Sequence, residues 1–249
     1  MCAQATHNSG NTILGAKPLK ADGSSFYYSD YNNRFANKGY HRDKWPCCSG
    51  SFPQITADYG ISSYFHDSDG VYVNLYTPSR VSWKRDSARI ALTQRTSYPH
   101  DLSTQIEITA DKPAGFAVHL RIPGWAGPKS TVAVNGQRVS LDLVPGSFAR
   151  VDRTLQNEDR IEVEFEAATT LEAVDPQHPD VVAPVNGPLA LFAVGEILGR
   201  LRQADLLAAS RISSGSSTWR ARSEARIITL KPFASIQEEG YRLYHQIES

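Results

Sequence analysis

The chain has 249 residues, of which 41% are hydrophobic and 10% aromatic, and its 26 Lys and Arg balance its 26 Asp and Glu. This length and apolar content are sufficient for one large core or two small ones. The balanced charge, with no long run of one sign, gives no reason to expect a nucleic acid or a membrane as partner. We therefore expect a folded globular protein whose ligand is neutral or small.

The N-terminal sequence shows no export signal. "MCAQATHNSGNT" lacks both the basic start and the apolar segment of a signal peptide, and no apolar stretch approaches the roughly 20 residues that cross a bilayer. Three cysteines do not make a disulfide framework, and the odd number leaves at least one thiol free. We expect a reducing compartment, cytoplasmic by default.

Residues 1–63 are irregular, polar and aromatic, as in "DGSSFYYSDYNNRFANKGYHRDKW", which is typical of loops lined by tyrosines. One short helix is predicted near the end of this segment, because Ser51 and Gln54 fit a capping box and Pro53 lies in the first turn. Cys47 and Cys48 lie on the turn before this helix, where free N–H groups and the helix dipole favour thiolates.

From residue 64 the pattern changes to alternating apolar and polar side chains separated by turns. "GVYVNLYTPS" predicts a strand that Pro78 ends. Asn135-Gly136 supplies the two positive-φ residues of a type I′ hairpin. Further strands are predicted in "ARIALTQ", "TQIEITA", "GFAVHLRIPGW", "SFARVD" and "RIEVEFE". The regular spacing predicts an antiparallel β-sandwich over roughly residues 64–170.

Beyond residue 170 the pattern is weaker. We predict a strand within Leu189–Val194, a helix in "EILGRLRQADLLAAS", a late strand ended by Pro232, and an edge strand in "EEGYRLYHQIES". The predicted fold class is mainly β, an antiparallel sandwich preceded by a loop and short helix. The predicted domains are residues 1–63 and 64–249, the second either undivided or made of 64–170 and a smaller 171–249.

The adjacent cysteines have three interpretations. They can be small buried hydrophobic side chains, or they can form a strained vicinal disulfide. Alternatively, both sulfurs bind one soft metal such as zinc, and one of them also attacks a substrate. Two thiolates leave a tetrahedral zinc site half complete, and neither Cys2 nor His41 completes it by spacing. The residues alone leave these alternatives open.

The run "WPCCSGSFPQITADYGISSYFHDSDGVYVNLYTPSRVSW" resembles the region around the double cysteine of glycoside hydrolase family 127, the β-L-arabinofuranosidase-like proteins. "NTILGAKPLKADGSSFYYSDYN" is similar to the last part of that family's helical catalytic barrel. "HLRIPGWAG", "AVNGQRV", "NGPLALFAVGE" and "LKPFASIQEEGYRLY" resemble its β-sandwich region. By this resemblance, residues 1–63 are a remnant of an α/α barrel.

The resemblance implies a retaining glycosidase that acts on non-reducing terminal β-L-arabinofuranosides and uses zinc. It implies that Cys47 is the nucleophile and a zinc ligand, and that Cys48 is a second ligand. A cysteine then replaces one of the two usual carboxylates, and a thioglycosyl intermediate divides one difficult displacement into two easier ones. Tyr27, Tyr28 and Tyr31 of "FYYSDY" are candidates to contact the sugar.

The family's remaining catalytic groups are a glutamate and a cysteine that complete the metal site, and an acid/base glutamate. They precede the segment that residues 11–63 match, and the first ten residues contain no glutamate. The carboxylates elsewhere are expected to be structural, on strands or in a wet turn: Glu107, Glu162, Glu164, Glu166, Glu238 and Glu239. We therefore expect the chain alone to have little or no activity.

A second function class also fits the sequence. The chain can be a non-catalytic β-sandwich that binds carbohydrate or another protein, and Trp45, Trp125 and Trp219 are then candidates to stack on sugar rings. The expected partners are carbohydrate and either a second copy of the chain or a separate chain that covers residues 1–63.

Overall fold

The structure is a computed structural model that describes residues 22, 24–26, 32–33, 40–41, 54, 57–195, 200–223, 226–237 and 239–248. The chain divides into two compact units. One comprises residues 56–167, and the other comprises residues 168–249 with the described residues of 1–55. Among the described helices, none has the length and apolar character that would let it cross a membrane.

The elements are numbered here in chain order. The strands are β1 Ser25–Phe26, β2 Asn32–Asn33, β3 Tyr40–His41, β4 Tyr64–His66, β5 Gly70–Val73, β6 Ser79–Arg85, β7 Ala88–Thr96, β8 Ser103–Ala110, β9 Ala114–Arg121, β10 Thr131–Val134, β11 Gln137–Arg138, β12 Phe148–Leu155, β13 Arg160–Glu164, β14 Thr169–Ala173, β15 Val181–Asn186, β16 Leu189–Val194, β17 Leu201–Arg202, β18 Ser210–Arg211, β19 Trp219–Ser223, β20 Arg226–Pro232, β21 Tyr241–Arg242 and β22 His245–Glu248. Helix α1 contains residues 57–61, α2 is Gln203–Leu207, and Phe233–Ser235 form a 3₁₀ turn.

Residues 56–167 form a sandwich of two sheets. The six-stranded sheet has the order β11-β10-β13-β8-β7-β6, and every neighbouring pair is antiparallel. The four-stranded sheet has the order β12-β9-β5-β4, in which β5 and β9 are parallel and the other pairs antiparallel. The predicted mainly β fold and antiparallel sandwich are therefore confirmed, with one parallel pair that the sequence did not indicate.

The core of the sandwich consists of alternating side chains from both sheets. In β8 every second residue is buried, and Ile106 and Ile108 are among the most deeply buried side chains of this core. Val71 and Val73 of β5 belong to the same core. Burying one such side chain contributes roughly 1.5–3 kcal/mol. The apolar side chains that the two-residue period directs into the core are therefore the main source of stability.

The chain also follows the predicted turns closely. Asn135 and Gly136 have φ values of 51° and 74°, and they join Val134 to Gln137 in antiparallel register. The strand predicted from "GVYVNLYTPS" is shorter than expected, since β5 ends at Val73. There the backbone N–H groups of the next two residues donate to a carbonyl outside the sheet instead of continuing the ladder.

Residues 168–249 contain the strand predicted within Leu189–Val194, which is β16. Consecutive residues of β16 pack into different apolar clusters. Leu191 packs with Trp219 and Leu230, whereas Phe192 packs with Phe233. A continuous apolar run is typical of a strand buried on both faces.

The remaining predictions for this unit were confirmed in part. The late strand is β20, which ends at Pro232 as predicted. The described part of the predicted helix forms only the five residues of α2. β22 was predicted to be an edge strand, but it lies between β15 and β17.

Candidate functional site

The residues that the sequence assigns to catalysis and sugar contact lie outside the described residues. These are Cys47, Cys48, Tyr27, Tyr28 and Tyr31. Their roles therefore stay predictions.

The donor chemistry of the adjacent cysteines suits zinc, because thiolates are soft ligands. His41 lies in β3, where its backbone pairs with Ser25 of β1. Within the part of the chain that the structure describes, no group of three or more His, Cys, Asp or Glu side chains could hold a metal ion. Cys47 and Cys48 would supply two thiolates to a zinc ion, which is half of a tetrahedral ligand set.

The chain that follows the cysteine motif is anchored at the end of β5. The hydroxyl of Ser63 donates to the carbonyl of Tyr59 in α1 over 2.9 Å. The carbonyl of Ser63 accepts the N–H groups of Asn74 and Leu75 at 3.0 and 3.3 Å. The side chain of Asn74 donates back to the carbonyl of Ser62 over 2.9 Å. These contacts fix the end of the helical segment to the sandwich.

A cluster of charged side chains surrounds Asp69 on the outer face of the four-stranded sheet. β9 and β12 bring His119 and Arg150 into the same cross-strand row. Arg150 donates to both carboxylate oxygens of Asp69, from Nε at 3.0 Å and from Nη2 at 2.9 Å. His119 Nε2 lies 2.9 Å from Asp69 Oδ2, and Arg150 Nη1 donates to Asp152 over 2.6 Å. Asp69, which directly precedes β5, thus contacts side chains of β9 and β12 that are 50 and 81 residues away in sequence.

These hydrogen bonds set the ionisation of the cluster. The Arg150 guanidinium, with a smaller contribution from His119, lowers the pKa of Asp69 to about 2. The N–H of Gly70 and the hydroxyl of Tyr72 both donate to Asp67 and lower the pKa of its carboxyl group. The hydrogen bond between Tyr72 and Asp67 also raises the pKa of the Tyr72 hydroxyl. Both carboxylates are therefore ionised at neutral pH. Neither is suited to donate a proton as a general acid.

Aromatic rings extend this cluster across the sheet. The Tyr72 ring stacks on His119 with the centroids 4.1 Å apart, and its edge meets Phe148 at 5.3 Å. The Arg121 guanidinium lies over the Phe148 ring at 5.6 Å. Phe65, which pairs with Tyr72, is 52% exposed. Because His119 and Arg121 cover the other rings, Phe65 is the most open ring of this face.

The sequence analysis missed this cluster because its hydrogen-bonded members are distant in sequence, with Asp69 and Arg150 81 residues apart. Only the strand register brings them together. The one local signal was the turn sequence "HDSDG", in which Asp67 accepts two backbone N–H groups.

Two of the candidate sugar-stacking tryptophans are packing residues. Trp219 is 2% exposed, and the Arg211 guanidinium lies 4.5 Å from its ring. Trp125 meets Phe165 edge to face at 5.7 Å and packs against the sandwich core. Trp45 lies outside the described residues.

Three of the described glutamates form ion pairs, and Glu238 lies outside the described residues. Glu107 pairs with Arg95 at 3.0 Å, and Glu166 pairs with Lys129 at 3.4 Å, in agreement with the structural role predicted for them. Glu239 was predicted to lie in a wet turn, but it is half-buried and forms an ion pair with Lys231. That pair lowers the pKa of Glu239 to about 2.

The sandwich unit is similar to a known protein family. Residues 70–167 match the family model described as beta-L-arabinofuranosidase, GH127 middle domain. This range covers most of the sandwich unit. A search of the curated proteins finds no match.

Solved structures share the fold over nearly the whole chain. A GH127 β-L-arabinofuranosidase from Geobacillus stearothermophilus T6 is 20% identical, with a TM-score of 0.71 over 94% of this chain and 44% of that chain. A structure described as a glycoside hydrolase is 20% identical, with a TM-score of 0.75 over 99% of this chain and 49% of the other. A GH127 β-arabinofuranosidase is 22% identical, with a TM-score of 0.67 over 99% and 46%.

The chain thus spans about half the length of the structures that it matches. The family model confirms the resemblance to GH127 over residues 70–167, and the solved structures show the shared fold.

Proposed function

We propose that this GH127-like chain forms part of a retaining glycoside hydrolase that acts on non-reducing terminal β-L-arabinofuranosides. The observation that carries the proposal is the match of residues 70–167 to the GH127 middle domain, which begins 22 residues after Cys48 of the Cys47-Cys48 motif. Two of the similar structures are described as arabinofuranosidases, which supports the same substrate class.

In the proposed reaction Cys47 is the nucleophile. Its thiolate attacks the anomeric carbon, the bond from that carbon to the leaving oxygen breaks, and a thioglycosyl bond forms. Water then displaces the sulfur, and the two inversions give net retention. Zinc held by Cys47 and Cys48 would keep the sulfur deprotonated at neutral pH. Tyr27, Tyr28 and Tyr31 are proposed to contact the sugar.

The leaving oxygen needs a proton, and no described residue of this chain is assigned that role. Asp67 and Asp69 are ionised at neutral pH, and Glu239 is held ionised by Lys231. We therefore expect these 249 residues alone to hydrolyse arabinofuranosides slowly or not at all. In the proposed arrangement residues 1–63 pack with a helical catalytic part, which belongs either to a longer form of this chain or to a separate polypeptide.

Zinc content and hydrolysis test this proposal together. The purified chain is compared with a Cys47→Ser, Cys48→Ser double variant, with Cys2→Ser as the matched control. When the helical catalytic part of a GH127 enzyme is added to supply the remaining ligands, elemental analysis is expected to give near one zinc per chain in the wild type and the control, and none in the double variant. Zinc in none of the three proteins would contradict a zinc-thiolate role for the pair.

Hydrolysis of an aryl β-L-arabinofuranoside is measured on the same proteins, with and without an added helical catalytic part of a GH127 enzyme. Turnover is expected only with the added part, and Cys47→Ser is expected to abolish it. Turnover that survives Cys47→Ser would refute the nucleophile assignment.

The alternative is a non-catalytic sandwich that binds carbohydrate or another protein. Because Trp125 and Trp219 are packed, this function needs another surface. A monomeric chain that binds sugar but no zinc would favour it.

A further inference from the structure

An open groove of about 490 Å³ lies on the six-stranded sheet, where β6, β7 and β8 run side by side. Its outward-facing floor is formed by Ser82, Ala91 and Thr109, which occupy one cross-strand row. Longer side chains flank this row two positions away, namely Arg80 and Lys84 of β6 and Arg89 of β7. The register therefore creates the groove, because short side chains lie between long ones.

The walls of the groove are cationic. Arg80, Lys84 and Arg89 line it and are exposed, and none of them forms an ion pair with a described residue. Asp111 is the one carboxylate among the lining residues, and it accepts the backbone N–H of Arg89 over 2.9 Å. The groove thus has three cations against one carboxylate, in a chain whose total charge is balanced.

Two of these cations oppose each other. Lys84 and Arg89 are direct cross-strand partners, and like charges at such positions destabilise a sheet. A bound anion would relieve this repulsion. The hydroxyls of Ser82 and Thr109 are exposed on the floor, and no described residue forms a hydrogen bond with either of them. The groove therefore offers cations and free hydroxyls to the same ligand.

We infer that this groove binds a carbohydrate that carries carboxylates, such as a uronic-acid oligosaccharide. The arginine fork matches a carboxylate with two parallel hydrogen bonds, and the floor hydroxyls suit sugar hydroxyls. The volume lies within the range of about 300–1,000 Å³ that is usual for small-ligand pockets. A nucleic acid requires a longer basic surface, with more cations than the three in this groove.

That the anion is part of a sugar rests on the proposed function, whereas the cationic groove does not. Every lining residue of the groove belongs to the sandwich unit, and neither Cys47 nor Cys48 is among them. The groove would hold the acidic part of a branched substrate without taking part in bond cleavage.

Isothermal titration of the full chain with a galacturonic acid trimer tests this inference. The methyl ester of the same trimer is the matched ligand, because it keeps the shape and removes the charge. The Arg80→Gln, Arg89→Gln double variant is compared with Arg138→Gln, Arg153→Gln, which removes two exposed arginines elsewhere on the sandwich. Ala91→Leu narrows the floor without changing the charge.

We expect the trimer to bind and its ester to bind at least about tenfold more weakly. The Arg80, Arg89 double variant is expected to weaken trimer binding about tenfold, with a similar loss in Ala91→Leu and none in the control double variant. Binding should also weaken as salt is raised.

The inference is overturned if the ester binds as tightly as the acid, if both double variants lose affinity equally, or if the trimer does not bind. Displacement of the trimer by inorganic phosphate at equal concentration would overturn the assignment to a sugar. Binding is measured without catalysis, so the two proposals can fail separately. Trimer binding, with no hydrolysis of the aryl arabinofuranoside even when the helical catalytic part is added, would refute only the proposed function. Hydrolysis in that assay with no trimer binding would refute only this inference.

Discussion

Gly70 lies against the backbone of Ala117, so closely that a Cβ at residue 70 would be 1.9 Å from the Ala117 carbonyl oxygen. The two residues are partners in the parallel pair of β5 and β9. This close approach also brings Asp69 beside β9, where its carbonyl accepts the N–H of Ala117 and its carboxylate meets His119. The glycine is therefore a condition for the parallel pair and for the charged cluster.

Gly70→Ala should destabilise the sandwich by at least about 3 kcal/mol, because the obstructing atom belongs to the backbone and cannot move aside cheaply. Gly115→Ala is the control, since a Cβ at that β9 position meets nothing within 4 Å. Urea unfolding of both variants measures the difference. Equal urea midpoints for Gly70→Ala and Gly115→Ala would contradict the prediction, because they would mean that β5 and β9 can move apart without loss of stability.

The second prediction concerns acid stability. The pKa of Asp69 is lowered from 3.8 to about 2 in the folded chain, so the folded state binds fewer protons than the unfolded state between these values. The contribution of this carboxylate to stability is therefore complete above about pH 4 and is lost as the pH falls towards 2.

Asp69→Asn should accordingly be less stable than the wild type at pH 7 and approach it near pH 2. Unfolding midpoints across this range measure the gap, with the exposed Asp142→Asn as control. A gap of the same size at both pH values would mean that Asp69 acts through packing and not through its charge.

Local patterns of the sequence were enough to predict the sandwich. Alternating side chains in β8 and the Asn135-Gly136 turn depend only on neighbours along the chain, and both were confirmed. The parallel pairing of β5 with β9 was not predictable in this way, because it depends on the contact of Gly70 with a carbonyl 47 residues later. β6 was also missed, although its partly buried Val81 and Trp83 alternate with charged and polar residues in the two-residue period of a strand.

The functional residues divide along the same line. A motif in consecutive residues, such as Cys47-Cys48, is visible in the sequence even though it lies outside the described residues. The Asp69 cluster and the cationic groove exist only through strand register, and Lys84 opposes Arg89 only because β6 and β7 pair as they do. Apart from the turn sequence "HDSDG", the sequence contains no local sign of either.

The third prediction tests the hairpin. Gly136 has φ of 74°, and a Cβ there would meet nothing within 4 Å, so a substitution is penalised by backbone strain alone. Gly136→Ala should cost about 1–2 kcal/mol, less than Gly70→Ala.

Asn135 should tolerate change less well than its neighbour. Its side chain donates to Asp159 over 2.8 Å and accepts the N–H of Arg160 over 2.8 Å, besides having φ of 51°. Urea unfolding of Asn135→Ala should therefore show a larger loss than Gly136→Ala. The reverse order would mean that φ, and not the hydrogen bonds to the β12–β13 turn, controls the hairpin.

The last prediction concerns His245 of β22, which is 2% exposed and whose Nε2 has no hydrogen-bond partner among the described residues. Burial, with a smaller effect of Arg242, lowers its pKa from 6.5 to about 4. Between these values the unfolded chain binds the proton and the folded chain does not. Stability should therefore fall as the pH decreases from about 6.5 to 4, by up to about 3 kcal/mol, and this contribution should level off below 4.

His245→Asn should remove this dependence, because an amide keeps a donor and does not titrate in this range. The exposed His66→Asn is the matched control and should leave the slope unchanged. Hydrogen exchange of the amides of β15 and β22, which pair through Val182 and His245, locates the effect in residues 168–249. If protection there falls equally with pH in wild type and His245→Asn, the proton binds elsewhere, and the burial of His245 does not explain the acid sensitivity of this unit.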